Sequence, residues 1–299
     1  MIYTKNLRKE YGDKTVLSDI NIDISSGAIV GLLGKNGAGK TTFNKILTGL
    51  SFPTEGEVLV CGSTPKCGSQ KVGFLSENIS IFPTLSAYDN LAQIFLINNM
   101  KPDKKRITDI LETISIENTK KTANKFSLGM KRRLQIAMST LVSDRDVLIL
   151  DEPTNGLDIN GVIWLQELLE KLKQKNKTII MTSHAIKQLE GVLTSYFILN
   201  QGTIVASGDM DSIKSVNISI KLQRDDFHKA SNSLQNIGVS FFLEENNSKI
   251  IIKDATEEIS NTCIKVLMMN SVIPISFETN KKSLVDIFVS STKVGEKND

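Results

Sequence analysis

Gly34-Lys35-Asn36-Gly37-Ala38-Gly39-Lys40-Thr41-Thr42 lies between the apolar run Ala28 to Leu33 and the helix-like stretch Phe43 to Leu50, and its reading decides the fold. The spacing is G-x-x-x-x-G-K-[ST]. Glycines at these places let successive backbone N–H groups curl into a concave anion nest, and the helix that follows points the positive end of its dipole into it. The segment therefore reads as a grip for a nucleoside triphosphate, with Gly34, Asn36, Gly37, Ala38, Gly39, Lys40, Thr41 and Thr42 as its binding residues. Lys40 is expected to reach the β- and γ-phosphates. Thr41 supplies a hydroxyl for Mg²⁺, which prefers oxygen ligands in near-octahedral array and keeps several waters. The strand before and the helix after separate this reading from that of a glycine-rich surface turn.

The run Val147-Leu148-Ile149-Leu150-Asp151-Glu152 is a short buried strand ending in two adjacent carboxylates. Successive strand side chains point to opposite faces, so two acids at a strand end can take different tasks. Asp151 is placed to hold Mg²⁺ through water, and Glu152 to polarise the water that attacks the γ-phosphate. A solvated pair of acids would look the same in isolation, but the upstream phosphate grip needs such a metal partner.

The 299 residues leave room for two domains and a sizeable core. With 40% hydrophobic and 23% charged residues, the composition excludes a disordered or fibrous class. A net charge of +3 gives no argument for nucleic acid as a partner. No apolar run approaches the roughly 20 residues that span a bilayer, and the first eleven residues carry Lys5, Arg8, Lys9 and Glu10 without an apolar segment. The expected location is therefore cytoplasmic. Cys61, Cys67 and Cys263 form no metal-ligand cluster and read as reduced packing or surface residues.

Up to about residue 210, apolar runs alternate with helical stretches, as a mostly parallel sheet with crossover helices requires. Ala28 to Leu33, Lys71 to Leu75, Val147 to Leu150, Thr178 to Thr182 and Tyr196 to Asn200 read as buried strands. Ile2 to Leu7 and Val16 to Ile24 alternate like an antiparallel edge. Leu91 to Asn98 and Ile107 to Ile116 belong to a helical insertion at about residues 79–141. Beyond Met210 the order of expected elements is β-α-β-β-α-β, that of a ferredoxin-like module of about 80 residues. The fold class expected is thus α/β, a P-loop NTPase sheet core with an antiparallel edge subdomain and a helical insertion, plus a small α+β ferredoxin-like C-terminal domain. The boundaries are 1–212 and 213–299, with a polar tail from Lys293.

Phe126-Ser127-Leu128-Gly129-Met130-Lys131-Arg132-Arg133 opens a helical stretch 24 residues before Asp151. Here the chain resembles the nucleotide-binding subunit of an ABC transporter, whose signature is usually L-S-G-G-Q. Ser127 and Gly129 match, while Leu128 and Met130 replace the commoner Gly and Gln. The resemblance covers roughly residues 1 to 210. It implies a D-loop at Pro153 to Asp158, a switch histidine at His184 that contacts the γ-phosphate, and Tyr11 as the aromatic that stacks on adenine. Where the family usually has Gln as a metal ligand, this chain has Glu77, which offers Mg²⁺ a charge in place of a neutral carbonyl. The Glu-bearing loop and the Ser-Leu-Gly-Met-Lys signature look like the branch that includes bacitracin and lantibiotic self-protection exporters.

What the resemblance implies is an ATP-binding and ATP-hydrolysing subunit that powers a membrane exporter, with hydrophobic or antimicrobial peptides as the candidate cargo. ATP and Mg²⁺ are the implied cofactors. The implied partners are a second ATP-binding subunit, either an identical chain or a paralogue, and a separate transmembrane permease that holds the chain on the inner face of the membrane. Each ATP would sit between one chain's phosphate loop and the Ser127–Gly129 helix of the other. Ile79, Ile81, Phe82, Leu85 and Tyr88 are expected to meet a helix of the permease or to form the insertion's own core. The alternative is a non-transport ABC ATPase that signals mechanically to a membrane complex, because the same motifs serve both. A soluble small-molecule kinase is disfavoured by Ser127, Gly129, Asp158 and His184.

Overall fold

Apolar runs long enough to bury both faces of a strand form the middle of the larger sheet. The computed structural model describes residues 1–66, 71–77, 80–183, 186–213, 216–281 and 283–293. It divides into two units, Met1–Gly208 with a C-terminal stretch from Ser290, and Asp209–Val289. His184 and Ile79 fall outside the described residues.

The strands of the first unit are β1 (Ile2–Tyr11), β2 (Lys14–Ile24), β3 (Ile29–Leu33), β4 (Glu55–Val60), β5 (Val72–Leu75), β6 (Val147–Asp151), β7 (Thr178–Thr182), β8 (Ser195–Asn200) and β9 (Thr203–Asp209). One sheet has the order β5-β6-β7-β3-β8-β9. β3, β6 and β7 are buried at every residue, and the pairings β5–β6, β6–β7, β7–β3 and β3–β8 are parallel. Such strands need apolar side chains on both faces, which explains why they read as continuous runs.

Ile2 to Ile24 does not extend this sheet. β1 pairs antiparallel with β2 and with β4, making a separate sheet of order β2-β1-β4. Alternation buries one face only, and Ile2, Leu7, Leu17, Ile20, Ile22, Val58 and Val60 turn that face to the core. That core is shared with the larger sheet, and Phe43, Ile46 and Leu47 of helix α1 (Lys40–Leu47) lie within it. The helix after the phosphate loop is therefore held by burial between two sheets.

The helical insertion holds α2 (Ala87–Ile97), α3 (Lys104–Thr113) and α4 (Leu128–Thr140). Each starts on a side-chain cap, with Ser86, Asp103 and Ser127 accepting from the N–H of Asp89, Arg106 and Met130. Leu91, Phe95, Ile107, Leu111, Leu134 and Ala137 make its own core, against which Ile81 and Tyr88 are partly buried. Helix α5 (Ile159–Gln174) leans on this insertion through Trp164, whose Nε1 donates to the Thr113 carbonyl at 2.7 Å. The short α6 (Ile186–Leu189) precedes β8.

In the second unit, β10 (Val216–Lys221), α7 (Arg224–Gln235), β11 (Phe242–Glu244), β12 (Lys249–Ala255), α8 (Glu257–Met269) and β13 (Ser276–Lys281) follow one another, and α9 (Leu284–Lys293) begins before and ends after the boundary at Ser290. The sheet order β11-β12-β10-β13 with antiparallel neighbours is that of the ferredoxin-like module. Its core joins Val216, Ile218 and Ile220 to Phe227, Leu234, Cys263 and Leu267.

Inside the insertion, Asn90 is fully buried and staples the chain before α2. Its Nδ2 donates to the carbonyls of Phe82, Leu85 and Ser86 at 3.0, 3.3 and 2.9 Å, and its Oδ1 accepts from the Phe82 N–H at 2.7 Å. Removing one partner of a buried hydrogen-bond set leaves the others desolvated. Asn90→Ala is expected to destabilise the first unit by about 2–3 kcal/mol, read as an earlier urea midpoint in the fluorescence of Trp164, the chain's single tryptophan.

Candidate active site

The phosphate loop leaves the carboxyl end of β3, and Asp151 ends β6 two strands away. Parallel pairing carries both to the same edge of the sheet, where ligands of open α/β sheets bind. A cleft of about 520 Å³ opens there. Asn36, Gly37, Ala38, Gly39, Lys40, Thr41 and Thr42 line it together with Glu77, Asp151 and Glu152. The fold therefore brings the expected loop and three expected acids to one place. Gly34, Tyr11, Ser127, Gly129 and Asp158 are not among the lining residues.

Gly39 has φ +111 and carries the loop into α1. A Cβ there would also come within 2.7 Å of Leu17 Cδ2. Glycine is thus required by conformation and by space. Lys40 is 8% exposed, and its ammonium donates to the carbonyls of Gly34 at 2.6 Å and Lys35 at 3.2 Å. Burial pushes its pKa below the ordinary lysine value, while the Glu152 and Asp151 carboxylates pull it upward.

Asp151 and Glu152 are buried. Asp151 Oδ1 accepts from Thr182 Oγ1 at 2.5 Å and from Asn44 Nδ2 at 3.5 Å, so β7 and α1 both fix its carboxylate. Glu152 has φ +50. For a residue with a Cβ, this left-handed conformation costs roughly 1–2 kcal/mol and must be held by its surroundings. Its N–H donates to Thr182, to the carbonyl and to Oγ1, each at 3.1 Å.

Several residues that sequence reasoning missed complete the cleft. Lys14, Thr15 and Val16 come from the start of β2, and Gln201 and Gly202 from the turn between β8 and β9. The Gly202 N–H donates to the Ala38 carbonyl at 3.1 Å, and its carbonyl accepts from the Ser18 N–H at 2.8 Å. The only local signal is the turn-forming Asn200-Gln201-Gly202, which says nothing of the loop it supports. Arg132 was also missed. Its guanidinium reaches the carbonyls of Asp151, Glu152 and Pro153.

A family model described as ABC transporter matches residues 17–155. The lantibiotic transport ATP-binding protein SrtF of Streptococcus pyogenes is 35% identical over 218 residues, 72% of this chain and 94% of that one. The bacitracin transport ATP-binding protein BcrA of Bacillus licheniformis is 36% identical over 240 residues, 77% of each chain. The chain belongs to the ABC transporter ATP-binding proteins. A solved dimeric structure of MJ0796, a bacterial ABC transporter cassette, superposes with a TM-score of 0.63 at 25% identity, over 70% of this chain and 99% of that one. As a member of this family the chain is an ATP-binding subunit, and its ATP hydrolysis is coupled to transport.

The remaining positions that the ABC resemblance singles out lie as follows. Ser127 caps α4 through the Met130 N–H at 3.2 Å. Asp158 caps α5 through the Gly161 N–H at 2.7 Å. A Cβ on Gly129 would meet the Gly156 carbonyl at an ordinary 3.5 Å, so contacts within the chain do not demand glycine there. Tyr11 is half exposed, with its hydroxyl 3.3 Å from Ser51 Oγ and Lys9 Nζ 4.7 Å from its ring centre.

The lowered pKa of Lys40 has a pH consequence. Its charge is complete well below the folded pKa and is lost as pH rises through that value, before an ordinary lysine titrates. ATP affinity is expected to fall over that alkaline window. Folding stability moves the other way, because the unfolded chain holds more protons there. ATP titrations between pH 7 and 10 check the first trend, with Lys40→Arg expected to flatten it.

Proposed function

We propose that Lys40 and the loop N–H groups hold the ATP phosphates, that Thr41, Asp151 and Glu77 hold Mg²⁺, and that Glu152 activates the attacking water. The single observation that carries this reading is the convergence of the phosphate loop and both strand-end acids on one cleft. The donor set fits the metal. It is a hydroxyl and two carboxylates, all oxygen, and among the described residues there is no group of three or more His, Cys, Asp or Glu that would cage an ion without substrate. Mg²⁺ is commonly held by one or two carboxylates plus phosphate and water. Held there, it would offset the negative charge of the phosphates.

The chain's own residues do the rest. Lys40 must exchange the Gly34 and Lys35 carbonyls for phosphate oxygens, which are stronger partners for an ammonium. The bond from Thr182 fixes the orientation of the Asp151 carboxylate. Glu152, one residue on and turned by its left-handed backbone, is the group assigned to accept a proton from water.

Residues 1–212 are read as the nucleotide-binding domain and 213–299 as an accessory domain. Two such chains, identical or paralogous, would close over ATP so that Ser127 and the N-terminus of α4 meet the partner's phosphates, with Asp158 and the switch residue His184 nearby. The slack at Gly129 supports this, since the space its missing Cβ leaves is not used within the chain. Tyr11 is assigned to adenine stacking. No helix among the described residues is long and apolar enough to cross a membrane. A separate permease would hold the assembly on the inner face of the membrane and select the cargo. SrtF and BcrA are named for lantibiotic and bacitracin transport, and peptide antibiotics are the cargo class proposed here. Phe82, 40% exposed beside the Asn90 staple, is the side chain assigned to the permease contact, whereas Ile81 and Tyr88 serve the insertion's core.

Glu152→Gln is expected to keep ATP binding and to lower hydrolysis by about a hundredfold or more, the scale of a lost general base. Equilibrium ATP binding and phosphate release from the purified chain measure both, and undiminished release would overturn the assignment of Glu152. Phe82→Glu is expected to leave the isolated chain's ATPase unchanged while reducing co-purification with the permease from solubilised membranes.

A further inference from the structure

Arg132 lies in the second turn of α4, in a Lys-Arg-Arg run that reads as solvated charge, yet it is 4% exposed. Its neighbours in the run do not share that burial, being half-buried. Nε donates to the Pro153 carbonyl at 3.3 Å, and one terminal nitrogen donates to the carbonyls of Asp151 at 3.0 Å and Glu152 at 2.6 Å. The other terminal nitrogen donates to Gln135 Oε1 at 3.2 Å, one turn further along the helix. A guanidinium is suited to this, because its five donors lie in one rigid plane and remain charged when buried. The three carbonyls belong to consecutive residues, and the middle one is Glu152, the residue with φ +50.

Both peptide groups of Glu152 are thereby gripped. On its amino side the N–H is held by Thr182, and on its carboxyl side the carbonyl is held by Arg132 and by the Asn155 N–H at 3.1 Å. Relaxing Glu152 to an ordinary right-handed or extended conformation would rotate these peptides and break the set. We propose that Arg132 is a positioning residue for ATP hydrolysis, holding Glu152 in the left-handed turn that directs its carboxylate into the cleft. This inference rests on the reading of Glu152 as the group that activates water. It assigns Arg132 no contact with ATP, since Arg132 is absent from the cleft lining.

Arg132→Lys keeps the charge but loses the planar fork, and Arg132→Gln keeps two donors without charge. In the full-length chain, Arg132→Lys is expected to lower kcat at least about tenfold while KM and the equilibrium affinity for ATP stay within about twofold. Arg132→Gln is expected to fall between Arg132→Lys and the donor-free Arg132→Met. Should Arg132→Met fail to fold, the Lys and Gln variants carry the comparison. A role through Glu152 also predicts non-additivity: in a Glu152→Gln background, adding Arg132→Lys should leave the residual phosphate release unchanged. A kcat within twofold of the parent in Arg132→Lys would overturn the inference. So would a tenfold loss that recurs in full on the Glu152→Gln background, which would mean that Arg132 acts elsewhere. If Glu152→Gln alone hydrolyses ATP at the parental rate, the reading of Glu152 fails, whatever Arg132 does.

Discussion

Thr182 sits in one row across the sheet with Leu32 on one side and Asp151 on the other, and the active-site geometry follows from that register. β7 pairs parallel with both neighbours, so the exit of the phosphate loop and the exit of the carboxylates are set level by backbone hydrogen bonds. The threonine then uses its side chain twice, donating to Asp151 and accepting from the Glu152 N–H. Its carbonyl takes a further bond from that same N–H. A slip of one residue in β7 would turn this side chain to the opposite face of the sheet. Asp151 and the Glu152 N–H would then lose the Thr182 hydroxyl that fixes them.

Much of this was legible in the sequence, for a physical reason. A phosphate loop and a buried strand that ends in acids are local features, and their signals lie within a few consecutive residues. Parallel strands covered on both faces likewise read as unbroken apolar runs, which is why β3, β6 and β7 stand out. β4 and β9 do not. Glu55-Gly56-Glu57 opens β4 with residues that disfavour strands, and β9 alternates between exposed and half-buried residues. Both are strands because neighbours pair with them, an effect of tertiary context on a weak local preference. Arg132, Asn90 and Gly202 were hidden for a related cause. Each earns its place through partners elsewhere in the fold, or, for Asn90, through backbone carbonyls whose position depends on the loop conformation.

Glu77 shows the limit of reading a residue against a family pattern. It lines the cleft and is exposed, in the company of Asp151 and Glu152. Three carboxylates around one phosphate site raise the local negative charge, and a divalent cation is the natural counterweight. A neutral amide at that place would supply an oxygen without that demand. The difference is one more carboxylate among the side chains that line the cleft.

The glycine at position 202 carries a consequence for how such a chain can drift. It has φ +81, and a Cβ there would stand 2.5 Å from the Val16 carbonyl oxygen. Its N–H also steadies Ala38 in the loop. No phosphate-loop pattern includes this position, which lies more than 160 residues further along the chain. Yet the room for neutral change there is as narrow as within the loop itself. The mutational target of the nucleotide grip is thus larger than its motif, and part of it lies in the turn between β8 and β9.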